Sequence, residues 1–186
     1  MAEKPKGFDE GFRALLTHLG EDPGRPGLDL TPSRVLDTME YLTRGLREDI
    51  RDDVNGGIFP ETSGDMVLVR KIEFVSLCEH HMLPFTGHAH VGYIPDGRVI
   101  GLSKIARVVD HFACRLQVQE RLTGEIADFL SDVLKPRGLG VVMDAVHLCM
   151  VARGVRKQDS EVMSSAWRGS FASNHEAREE FLRGIG

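Results

Sequence analysis

The stretch Ser76-Leu77-Cys78-Glu79-His80-His81-Met82-Leu83-Pro84 gathers a thiol, a carboxylate and two imidazoles, and a second thiol follows much later in His147-Leu148-Cys149. Cys78 and His81, with Cys149, supply the soft thiolate and imidazole ligands that a tetrahedral zinc ion takes. Three protein ligands leave a fourth position open. That is the arrangement of a catalytic zinc, which lowers the pKa of a water molecule to about 7. A lone Cys-x-x-His pair is a weak signal, but two further observations strengthen it. His80 stands beside His81, so one imidazole can bind metal while its neighbour moves protons. His147 precedes Cys149 by two positions in a run that reads as a strand, where i and i+2 share a face. Together these residues predict a zinc hydrolase.

Anion binding has its own candidates. Gly101-Leu102-Ser103-Lys104-Ile105-Ala106-Arg107 puts a hydroxyl, an ammonium and a guanidinium at a predicted helix start. Free N–H groups and the positive end of the dipole can cradle phosphate there, with Lys104 and Arg107 adding full charges. An ordinary N-cap followed by solvated basic residues explains the same letters, and the glycine pattern of a P-loop is absent. Arg153-Gly154-Val155-Arg156-Lys157, just after Cys149, is a second cationic group. Gln117-Val118-Gln119-Glu120-Arg121 opens another predicted helix. Its acid complements the dipole, although a carboxylate beside an amide could also read the N–H edge of a guanine.

The elements that must position these groups follow from periodicity. Phe8, Phe12, Leu15, Leu16 and Leu19 predict an amphipathic helix ended by Gly20, and Thr31-Pro32 starts a second helix with Thr31 as its cap. Residues 47–65 read as a connecting loop. Residues 66–75 and 87–94 read as two strands with the Cys-His-His stretch on the connection between them. A helix capped by Ser103, a second carrying Val118 to Val133, a long strand over 139–151, a β-like run over 161–171 and a helix capped by Asn174 complete the order. The pattern is two helices, then ββααββ, then a helix. It divides into 1–64, an N-terminal helical segment with its loop, and 65–186, the catalytic domain.

Composition bounds the partners. At 186 residues and 41% hydrophobic, the chain can bury a full core. A formal charge of -5 argues against nucleic-acid or membrane partners, whose footprint is a basic field. Met1 to Gly7 lacks the apolar core of a signal peptide, and no apolar run approaches the roughly 18 residues of a membrane span, so a cytoplasmic protein is expected. Three cysteines without a secretion signal favour metal or free thiols over disulfides, with Cys114 a small buried residue in a helix.

Four runs together resemble GTP cyclohydrolase I: Cys78-Glu79-His80-His81; Ile100-Gly101-Leu102-Ser103-Lys104 with Arg107; Gln117-Val118-Gln119-Glu120-Arg121-Leu122; and Asp144-Ala145-Val146-His147-Leu148-Cys149 with Ala152-Arg153-Gly154. The likeness runs from about Asp65 to Leu182, with a weaker N-terminal match at Gly20-Glu21-Asp22-Pro23 and Thr31-Pro32-Ser33-Arg34. It implies an α+β tunnelling fold, a ββααββ antiparallel sheet with helices on one face, whose subunit sheets close into a barrel. It also implies a homodecamer of two pentameric rings with active sites between subunits. The implied activity is hydrolysis of GTP to 7,8-dihydroneopterin triphosphate and formate by zinc-activated water at purine C8, the first step of folate and pterin biosynthesis. Carried over by residue, Cys78, His81 and Cys149 bind zinc, and His80 and His147 transfer protons with help from Ser103. Gln119 and Glu120 hold guanine, while Ser103, Lys104, Arg107 and Arg153 hold the triphosphate.

The chain departs from the family pattern at Asp37, where some members carry lysine, and at Arg168 in Ala166-Trp167-Arg168-Gly169. These bear on phosphate affinity or subunit packing. A zinc deaminase requires Cys-x-x-Cys and a metalloprotease His-Glu-x-x-His, and neither occurs. The remaining alternative is a catalytically inactive, zinc-containing pterin- or nucleotide-binding relative. Its metal would be closed by a fourth ligand from His80, His147 or Cys114.

Overall fold

The computed structural model describes residues 5–186; Met1 to Lys4, part of the stretch read above for a leader, lie outside the described residues. Contacts divide the chain into a unit ending at Leu42 and a unit from Thr43 to Gly186. The first holds α1 (Phe8–His18) and α2 (Thr31–Leu42). Gly20, at φ 89°, ends the first helical segment as expected. Thr31 lies inside α2 instead of capping it, and the Leu30 carbonyl accepts from Arg34 N at 3.1 Å. Arg13 ties the intervening link by donating to the Pro23 carbonyl at 2.7 Å.

The second unit runs α3 (Arg51–Asn55), β1 (Ile58–Pro60), β2 (Val67–Cys78), β3 (Pro84–Ile94), β4 (Arg98–Ile100), α4 (Leu102–Ala113), β5 (Leu116–Gln117) and α5 (Gln119–Leu134). It continues with β6 (Gly138–His147), α6 (Leu148–Val151), β7 (Glu161–Gly169), α7 (Ser170–Ser173) and α8 (His175–Ile185). The main sheet has the order β5-β2-β3-β6-β7, and β1 pairs with β4 separately. All neighbours in the main sheet are antiparallel except β2 and the short β5, which run parallel.

Side-chain alternation decides the two faces. Phe85, Ala89 and Val91 of β3, with Val141, Met143 and Ala145 of β6, bury against Ile105, Val108 and Val109 of α4 and Leu122, Ile126 and Leu130 of α5. This is the main core. On the opposite face Val142 packs with Phe171 of α7 and Phe181 of α8, backed by Trp167. Helices therefore occupy both faces, not one as expected, because the C-terminal segment folds back over the sheet. Asn174 caps α8 as predicted, its side chain accepting from Glu176 N at 2.9 Å and Ala177 N at 3.2 Å.

Residues 47–65, expected as a loop, contain α3 and β1. Elements of five and three residues are too short to display a period in sequence. Val54 is nonetheless fully buried in the main core. Ser103 does not cap α4: Gly101 occupies the cap position and accepts from Lys104 N at 2.8 Å. The long strand ends at His147, not at Val151. Its last partner is Phe85, the second residue of β3, and Pro84 before it has no N–H to offer. Left without a ladder, the chain closes its backbone bonds within α6, which carries Cys149.

Candidate active site

Sheet register brings the chemistry to one end. Cys78 is the last residue of β2, and Leu77 pairs with Pro84, so β3 begins beside it. His147 ends β6 opposite Phe85, and Gln117 of β5 pairs with Cys78, which sets the start of α5 against the same edge. The intervening turn is fixed by backbone bonds from Cys78 N to Leu83 O at 2.9 Å and Met82 N to Cys78 O at 2.8 Å. Met82 takes a left-handed φ of 54° to close it. Glu79 binds Arg121, which also donates to Gln117 Oε1 at 2.9 Å, tying the turn to α5. That partnership holds the Glu79 carboxyl below its ordinary range.

Ligand atoms of Cys78, His81 and Cys149 all lie within 4.8 Å of one another, and among the described residues they form the one such group. Cys78 Sγ stands 3.9 Å from His81 Nδ1 and 3.8 Å from His80 Nδ1. Bonds of about 2.3 Å to sulfur and about 2.1 Å to nitrogen, spread tetrahedrally, require donor separations near 3.6 Å. The Cys78–His81 pair needs a contraction of a few tenths of an ångström to share a zinc ion, and the whole group, spread within 4.8 Å, must draw in by up to about 1 Å. Burial, then the neighbouring Cys78 thiol, pushes the Cys149 thiol above its ordinary value, and a cation between the sulfurs reverses that preference by favouring thiolates. Arg153 donates to His81 Nε2, so the ring's hydrogen lies on Nδ1, the nitrogen turned toward Cys78; binding zinc through Nδ1 requires that hydrogen to move to Nε2 and the Arg153 contact to open.

His147 is held by a network that sequence reading did not foresee. Its ring stacks on Phe85 with centroids 4.6 Å apart and planes 2° from parallel. Its Nε2 lies 2.8 Å from Gln119 Oε1. The amide orientation is forced: Gln119 Nε2 reaches the carbonyls of Met143 at 3.1 Å and Val162 at 2.9 Å, which only accept. Gln119 Oε1 therefore faces the imidazole, His147 Nε2 carries the hydrogen, and Nδ1 is the nitrogen left for chemistry. Ser164 Oγ also accepts from Gln119 at 3.1 Å and meets Thr123 Oγ1 at 2.7 Å, whose hydroxyl donates to the Gln119 carbonyl at 2.8 Å. Burial lowers the pKa of His147, opposed by the Glu120 carboxylate, so the imidazole rests neutral. The available signal was Ser164, a polar residue in the inward stripe Val162, Ser164, Ala166 of β7.

The expected site residues fall into two groups. Cys78, His80, His81, Gln119, His147, Cys149 and Arg153 converge at the end just described, with Glu120 near enough to act on His147. Ser103, Lys104 and Arg107 lie toward the other end. Ile100 N donates to Tyr93 OH at 3.3 Å near the far end of β3, and α4 runs from there back to Leu116 beside Leu77. Twelve residues of α4 span about 18 Å at 1.5 Å each. Within one chain these cations stand apart from the metal group.

Fold and site together define an α+β protein with a candidate three-ligand metal centre and a tautomer-fixed histidine beside it. The sequence model of GTP cyclohydrolase I matches residues 8–186. The chain belongs to the GTP cyclohydrolase I family. It is 53% identical over 182 residues to GTP cyclohydrolase 1 of Chlorobium phaeovibrioides, covering 98% of this chain and 82% of that relative. It is 52% identical to GTP cyclohydrolase 1 of Teredinibacter turnerae, covering 93% of this chain and 94% of the relative. The enzyme of the same name from Leptospira biflexa is 55% identical over 168 residues. Among the described residues no helix is long and apolar enough to cross a membrane.

Proposed function

We propose that the chain hydrolyses GTP to 7,8-dihydroneopterin triphosphate and formate, with zinc held by Cys78, His81 and Cys149. The observation that carries this reading is the convergence of two thiols and an imidazole beside a histidine whose Nδ1 is reserved for proton transfer. At such a site a bound zinc ion activates water for attack. His147, whose Nδ1 is bare at rest, would first take up a proton there from water and then pass it to purine N7, making C8 electrophilic. His80, exposed and next to the metal ligands, would move protons as the opened ring loses formate and the ribose rearranges. Glu120 would accept from the guanine N–H edge. Gln119 serves the same reaction through His147, since its amide is engaged at both ends.

Lys104, Arg107, Ser103 and Arg153 would hold the triphosphate. The distance between the start of α4 and the metal group within one chain supports an oligomer in which a second copy supplies its α4 to complete the site. The sheet supports continuation between copies as well, because β7 has one neighbour, β6, among the described residues and leaves its other edge open. We infer a tunnelling-fold barrel and a homodecamer of two pentameric rings in the cytoplasm.

The test is incubation of the zinc-loaded protein with GTP, measuring formate and, after oxidation, a fluorescent pterin, with Cys149→Ala and His147→Ala alongside. Both products from the parent and neither from the variants is the expected result. Formate alone would mean that the ring opens without reclosing. GTP binding with neither product would replace the enzyme by an inactive nucleotide-binding relative.

A further inference from the structure

Two of the three cations assigned above to the triphosphate, Lys104 and Arg107, are already engaged with a carboxylate. Lys104 Nζ donates to Asp53 Oδ1 at 2.6 Å, and Arg107 donates to both Asp53 oxygens at 3.2 and 3.1 Å. Asp53 thus meets both cation heads at once, offering oxygens to an ammonium and a guanidinium as a phosphate does.

The contact is built into the fold and is not a chance meeting of long side chains. Val54, the next residue, is fully buried in the main core and anchors α3 where it stands. Gly57 leaves room for the lysine stem: a Cβ there would come within 2.6 Å of Lys104 Cγ and 2.9 Å of Cε. Gly101 N, at the cap of α4, donates to the Gly57 carbonyl at 2.9 Å and joins the two segments. The Lys104 side chain is only 20% exposed as a result, against 62% for Arg107. The bond from Lys104 is the first cause holding the Asp53 carboxyl below its ordinary value, so it is an anion at neutral pH.

We propose that Asp53 is an internal counter-anion of the phosphate-binding end of α4, which a polyphosphate must displace, and that it thereby sets the affinity of this site for the triphosphate. The proposal rests on the reading of Lys104 and Arg107 as phosphate contacts. The physical argument is an exchange: the carboxylate neutralises one of two positive charges and fills their donor directions, so an incoming phosphate gains only the difference. Removing the carboxylate while keeping its shape leaves both cations open. Because the pair is near the surface, the difference is screened by salt.

The experiment is calorimetric titration of the full-length, zinc-loaded protein with inorganic tripolyphosphate, together with KM and kcat for GTP, in the parent, Asp53→Asn, Asp53→Ser and Asp52→Asn. Asp53→Asn and Asp53→Ser should bind tripolyphosphate roughly 2- to 5-fold more tightly at low salt, the range an exposed ion-pair exchange allows. KM for GTP should fall by a similar factor with kcat unchanged, and the gain should shrink as salt rises. Asp52→Asn makes the same change in net charge one residue away and should leave binding unaltered. Equal or weaker binding by both Asp53 variants would overturn the proposal, as would an equal gain from Asp52→Asn. If the parent turns over no GTP yet the tripolyphosphate gain appears, the enzymatic reading fails and the role of Asp53 stands. If the parent does not bind tripolyphosphate, the phosphate reading of α4 fails and Asp53 with it.

Discussion

Replacing Gln119 by methionine tests the positioning of His147 most directly. The side chain is buried at 1% exposure, so water cannot replace what it gives up. Three hydrogen bonds vanish: the one received from His147, and two of those the amide nitrogen can give to Met143, Val162 and Ser164. At about 1 kcal/mol net each the loss is about 3 kcal/mol, and the similar volume of methionine avoids a large cavity term. A chain of 186 residues loses about 2–4 °C in Tm per kcal/mol, so the melting temperature should drop by about 6–12 °C. The chemical consequence is separate. With no acceptor at Nε2 the ring is free to turn, and kcat should fall by about a hundredfold while KM changes little. Magic-angle-spinning NMR of zinc-loaded protein labelled with 15N-histidine reads the tautomer itself. The parent should show a protonated Nε2 and a bare Nδ1 for His147. A parent with the hydrogen on Nδ1, or a variant that keeps its melting temperature and kcat, would refute the reasoning.

Other consequences are as specific. Metal analysis should find one zinc per chain in the parent and a loss of at least tenfold in affinity for Cys149→Ala, because two ligands no longer close a tetrahedral site. Phe181→Ala empties a fully buried position packed with Phe171 and Trp167, and denaturant unfolding should report a loss of about 3–5 kcal/mol. His111 has its pKa lowered from 6.5, first by burial and then by Arg115. The unfolded chain therefore takes up the proton first on acidification. Stability at this residue is full above pH 6.5 and declines as pH falls from there toward the lower folded value. In His111→Gln that segment of the stability–pH curve should flatten, as measured by denaturant midpoints across the range.

The sequence by itself determined the ligand types and the order of the main elements. Cys78, His81 and Cys149 are legible because few chemistries use two thiols and an imidazole, and the helical and strand periods of residues 66–134 survive local reading. Asn174 was legible as a cap for the same reason, since its bonds reach only two and three residues ahead. What lies between distant segments was not. Cys149 reaches the metal group from a helical turn, because β6 runs out of partners at His147, and strand ends depend on neighbours that a linear pattern does not contain. Gln119 reads as a base-recognition residue until Met143 and Val162, 24 and 43 positions away, fix the direction of its amide. Asp53 reads as solvated charge until α3 packs against α4 and gives it Lys104 and Arg107, 51 and 54 positions on. Only the tertiary structure sets the rest of α4, about 9–14 Å of helix beyond Arg107 and Lys104, between those cations and the end of the sheet that carries the metal group, since spacing in sequence carries no direction in space.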